Sequence, residues 1–101
     1  MRVALIGGVE RAEAQLDRVA REFGAELLYH PGHMGGRGAP ELRSVVERAE
    51  LVVVVTDVNS HGAVQVARKE ARRLGRPMVL LRRCSPGKLR AVLDGHKPVA
   101  A

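Results

Sequence analysis

The sequence predicts an α/β fold: a small doubly wound parallel sheet of four strands covered by helices. Three observations lead there. Short Val-, Leu- and Ile-rich runs, such as LVVVV at 51–55, alternate with segments whose apolar residues recur at helical spacing. The runs are apolar throughout, the pattern of strands buried on both faces and hence of a parallel sheet. Aromatic residues make up 2% of a chain that is 46% hydrophobic, so aliphatic side chains must build the core between sheet and helices.

Each element has its own signal. MRVALIGG predicts a strand over 2–6, ended by the turn Gly7-Gly8. Over 10–23, Ala12, Leu16, Val19, Ala20 and Phe23 fall on one helical face, and Gly24 stops the helix. AELLYH predicts a second strand over 25–29, followed by the glycine-rich loop HPGHMGGRGAP. Pro40 suits the first turn of a helix that buries Leu42, Val45, Val46 and Ala49. LVVVVT is the third strand. A third helix spans 60–74, with Val64, Ala67, Ala71 and Leu74 inward, and ends at Gly75. MVLLR is the fourth strand. SPGKLRAVL is a last short helix with Ser85 as N-cap and Pro86 at its first position. Right-handed crossovers favour strand order 2-1-3-4, a Rossmann-like or flavodoxin-like arrangement.

The 101 residues suit one domain, expected over 1–94 with a flexible tail at 95–101. Four strands are few for an open sheet, so a homodimer or higher homo-oligomer is expected to cover an edge or a bare face. No run approaches the roughly 20 apolar residues of a membrane span. The opening MRVALIGGVERAE is too short in its apolar part for a signal peptide. With one cysteine, Cys84, there is no intrachain disulfide, and a cytoplasmic location is expected.

The net charge of +6 is local. Residues 68–90 carry nine Lys or Arg and one acid, Glu70; the rest carries eight bases and ten acids. Such a patch suits an anionic partner, including weak contact with nucleic acid, and equally suits a solvated helix surface.

In sheets of this kind ligands sit beyond the carboxyl ends of the strands, where the order reverses. That point falls between strands 1 and 3. It gathers Gly7, Gly8 and Arg11 with Thr56, Asp57, Asn59, Ser60 and His61. Arg37 on one side and Arg82, Arg83 and Ser85 on the other flank them. The same rim holds His30 and His33. The expected ligand is a small anion of the phosphate or nucleotide type, held by glycine turns, helix N-termini and arginines. Asn59 or Ser60 also suits a simple N-cap. His61 falls in a helical first turn, where the helix field disfavours a positive imidazole. Neutral, it could bind haem or a transition metal together with His30 and His33. CSPGKLR matches the C-x-x-G-x-x-R signature of cysteine-dependent phosphatases, with Cys84 as nucleophile and Arg90 on the phosphate. The residue before the cysteine, Arg83, departs from the histidine usual there.

Taken together, Gly7-Gly8, the loop YHPGHMGGR with His30, Gly35 and Gly36, the exit Thr56-Asp57 followed by Ser60-His61, and Arg82-Arg83 with Ser85 resemble a small bacterial family, domain of unknown function 2325. The resemblance covers about residues 1–93 and implies no activity. It implies that these rim residues occur together, and that the Cys84 position takes serine or other small residues, which counts against a phosphatase.

Overall fold

The computed structural model describes residues 1–8, 10–57 and 59–96. Four strands, β1 (Arg2–Ile6), β2 (Glu26–His30), β3 (Leu51–Val55) and β4 (Met78–Leu81), form one parallel sheet in the order β2-β1-β3-β4. This is the expected order. β3 is buried at all five positions, as its unbroken apolar run requires.

Helices cover both faces. α1 (Glu13–Glu22), entered through a 3-10 turn at Glu10–Ala12, and α4 (Pro86–Gly95) pack on one face. α2 (Gly38–Arg48) and α3 (His61–Leu74) pack on the other. Strand parity divides the core accordingly. Val3, Leu5, Val53 and Val55 meet Leu16, Val19, Leu89 and Leu93 on the α1/α4 face. Ala4, Ile6, Val52 and Val54 meet Leu42, Val46 and the small row Ala63, Ala67 and Ala71 on the α2/α3 face. A one-residue slip in any strand would exchange the two sets.

Several boundaries differ from the sequence expectation. β2 runs one residue further, so His30 is its last residue and is buried rather than part of the following loop. α2 begins at Gly38, two residues before Pro40. Proline is tolerated there because first-turn amides have no intrahelical acceptor. α4 extends to Gly95, with His96 as its C-cap, both of which the expected tail had included; 97–101 lie outside the described residues. Glu70, the one acid of the basic stretch, is buried between α2 and α3. Arg73 holds it at 2.7 Å and Arg43 lies at 3.9 Å. Among the described residues, no helix is long and apolar enough to cross a membrane. The outer edge of β4 carries Leu80, the exposed large apolar side chain among the described residues.

Candidate functional site

The exits of β1 and β3 part around a cavity of about 370 Å³ on the α1/α4 face. Its walls are Leu5, Ala12, Leu16, Tyr29 and Val55, and its mouth is formed by Gly7, Gly8, Asp57, Arg83 and Cys84. Three of the four loops expected to converge therefore do so, and Gly7, Gly8, Asp57 and Arg83 line one space.

The mouth is charged and ordered. Arg83 Nε donates to Asp57 Oδ2 at 2.9 Å, and Arg82 Nε lies 3.9 Å from Asp57 Oδ1. The hydrogen bond from Arg83, followed by the positive field of Arg82 and Arg83, holds the Asp57 carboxyl below its ordinary range. Since the folded value is the lower one, the pairing contributes stability above the unfolded carboxylate range. That contribution is lost as pH falls through the folded value. One carboxylate against two guanidiniums leaves the mouth with an excess positive charge. Tyr29 Oη donates to the Gly8 carbonyl at 3.3 Å, tying the end of β2 to the β1 turn. Burial, and then the carboxylates of Glu10 and Glu13, push the tyrosine hydroxyl up.

Asn59 locks the floor of these loops. Its Nδ2 donates to the carbonyls of Val55 at 2.8 Å and Ile6 at 3.3 Å, and its Oδ1 accepts from Ser60 N at 2.8 Å. Ser60 is the N-cap of α3: its Oγ accepts from Ala63 N at 3.1 Å and donates to the Gly32 carbonyl at 2.8 Å. The capping function weighed for this pair thus belongs to Ser60, while Asn59 joins the strand exits. Thr56 is engaged with β4, its Oγ1 3.4 Å from the Leu81 carbonyl. Ser85 caps α4 by accepting from Lys88 N at 3.2 Å. Arg11 and Arg37 are exposed and do not line the cavity.

Of the three histidines expected to hold a metal or haem, His30 is committed to the backbone and His33 and His61 are exposed. Gly32 N donates to His30 Nδ1 at 3.0 Å, so the proton sits on Nε2, which donates to the Gly38 carbonyl at 3.0 Å. Both ring nitrogens are committed to backbone, and the buried His30 is a structural brace between β2 and α2. His33 is exposed on the loop after β2. His61 is exposed on α3, over the opposite face from the cavity, with Nε2 3.0 Å from Gln65 Nε2. Among the described residues, no group of three or more His, Cys, Asp or Glu is placed to share an ion. The described residues therefore assemble no three-ligand metal site, and the ring of His30 is not free to join His61 on a metal or haem.

Two features of the structure do not favour the phosphatase reading. Burial pushes the Cys84 thiol above its ordinary value, with Lys88 opposing. Arg90 does not close over the Cys84 loop. Its Nε and Nη2 donate to Glu22 on α1 at 3.2 and 3.3 Å. A raised thiol value means the folded state holds the proton more tightly. The corresponding stability is present below the unfolded thiol range and is lost as pH rises through the folded value. At neutral pH, Cys84 is expected to alkylate with iodoacetamide more slowly than a free thiol of glutathione, as followed by mass spectrometry. A rate at or above that of glutathione contradicts the assignment.

The basic stretch 68–90 is also not one surface. Arg68, Lys69 and Arg72 lie on α3, while Lys88 and Arg90 lie on α4 across the sheet. Sequence reasoning found the rim but missed the walls. Tyr29 was the available signal, since a lone tyrosine ending a strand needs a partner for its hydroxyl.

The same fold occurs in a response regulator receiver domain protein from Bacillus halodurans C-125. It is 19% identical over 97% of this chain and 97% of that one, with a TM-score of 0.64. At that identity the likeness is one of fold alone. No curated protein matches the chain. The model of one family, described as uncharacterized protein conserved in bacteria (DUF2325), matches residues 2–96. That match spans every strand and helix of the sheet, so the chain belongs to this bacterial family, as its rim residues suggested.

Proposed function

We propose that the protein is a non-catalytic binding or sensing module. Its cavity at the carboxyl end of the sheet takes a small anionic ligand of the phosphate or nucleotide type. One observation carries this reading: an apolar-walled space of about 370 Å³ opens onto Arg83, which is paired with Asp57 at the same mouth. The volume lies at the low end of small-molecule pockets, roughly 300–1,000 Å³. A flat apolar body packs between Leu5, Leu16, Val55 and the Tyr29 ring, and its anionic group meets Arg83 in competition with Asp57. The main-chain amide of Gly7 is already spent on the His30 carbonyl at 2.7 Å, so Arg83 carries the charge recognition. A non-catalytic role is supported by the groups at hand. Burial pushes the Cys84 thiol above its ordinary value, and the Asp57 carboxylate is engaged by two guanidiniums.

Thermal unfolding with inorganic phosphate and a panel of nucleoside mono- and diphosphates tests this. A ligand at about 100 times its Kd adds about 2.7 kcal/mol, which raises Tm by roughly 13 °C in a domain of this size. Ala12→Phe fills the cavity from α1's entry turn and is expected to abolish the shift while leaving the unliganded circular dichroism spectrum unchanged. No shift from any member of the panel, or an equal shift in the filled variant, rejects the proposal.

A further inference from the structure

The exposed side of α3 is separate from the cavity and has a chemistry of its own. His61, Gln65, Lys69 and Arg73 recur at i, i+4 spacing, with Arg68 and Arg72 on the adjoining row. A shallow groove runs along Gln65, Arg68, Lys69, Arg72 and Arg73. Local acids account for only part of this charge. Arg73 is held by Glu70 at 2.7 Å and Glu47 at 3.5 Å. Among the described residues, Arg68, Lys69 and Arg72 have no carboxylate partner. Three uncompensated cations on two adjacent turns of a helix make a local positive field that attracts an anionic polymer.

The surroundings narrow the polymer. A protein docking site would show aromatic, Met or Leu anchors. Every lining residue of this groove is polar or charged; Leu80, the exposed large apolar residue, shares the α2/α3 side of the sheet but is on β4, outside the groove's lining. Single-stranded nucleic acid is held by stacking its bases on aromatic rings. The chain has one Tyr and one Phe, and both pack on the α1/α4 face. What remains is the phosphate backbone of a duplex, which demands cations in a row and nothing else. We infer that the α3 face, through Arg68, Lys69 and Arg72, binds double-stranded nucleic acid by its phosphates without reading sequence.

The test uses the full chain and fluorescence anisotropy with labelled duplexes of unrelated sequence, titrated between about 50 and 200 mM salt. Log affinity is expected to fall linearly with log salt and to be equal across sequences. The variant Arg68→Gln/Lys69→Gln/Arg72→Gln changes exposed side chains only. It is expected to lose at least about tenfold in affinity at the lowest salt and to flatten the slope by about 2.7, from 0.9 per phosphate contact. Lys88→Gln on the opposite face is expected to leave both quantities unchanged. Three results overturn the inference: no duplex binding at the lowest salt, a triple variant with the wild-type slope, or binding to phosphatidylserine vesicles with none to duplex. Nucleotide-induced thermal shifts are read separately, because Ala12→Phe fills the cavity and leaves α3 untouched.

Discussion

Gly7→Ala is expected to destabilise the fold by about 3 kcal/mol, a fall in Tm of roughly 15 °C. Gly7 has φ +90°, a conformation an L side chain resists at about 1–3 kcal/mol. A Cβ there would stand 2.5 Å from Asn59 Nδ2 and 2.9 Å from the Val55 carbonyl. The methyl group therefore drives the asparagine amide off its two carbonyl acceptors, at about 1 kcal/mol for each bond lost. Gly75→Ala is the control. It has φ +66° and nothing within 4 Å, so it carries backbone strain alone, about 1 kcal/mol. Thermal unfolding of both variants separates strain from crowding; equal losses would refute the crowding account. In an Asn59→Ala background the alanine at position 7 is expected to cost less, because its principal obstacle is gone.

Leu5→Ala is the second large effect. Leu5 is 1% exposed, lies between β2 and β3, and also forms a wall of the cavity. The loss is expected to be about 3 kcal/mol from burial and residual void together, read by urea unfolding. The same change at Leu42, fully buried on the α2/α3 face, should cost a similar amount. The two should differ toward ligand. Leu5→Ala joins its new void to the existing space and weakens the response to the nucleotide panel, and Leu42→Ala leaves that response intact. A panel response lost equally in both variants would mean that stability alone, not the cavity wall, sets it.

Most of the architecture was legible because the punctuation is strong. Gly24, Gly75, Pro86 and the unbroken run at 51–55 mark ends and strands without help from the tertiary structure. The site was legible as a rim and not as a face. Chain order brings Gly7, Asp57, Arg83 and His61 to the same end of the sheet. Which side each serves depends on the path of a few loop residues, so Asp57 turns to the cavity while His61 starts a helix on the far side. His30 was misassigned because β2 persists one residue beyond the expected end, turning a loop imidazole into a buried one. Arg90 was misassigned because its partner, Glu22, is distant in sequence and met only through the packing of α4 on α1. The charge count over 68–90 was sound, but a helix on each face divides it.

Asn59 carries a consequence beyond the stability of its own turn. A single amide bridges the tips of β1 and β3, and through Ser60 it is fastened to Gly32 beyond β2. These three segments cannot shift independently. A displacement of the β1 tip would strain the same amide that fixes the start of α3, so the sheet's two covered sides meet in one side chain.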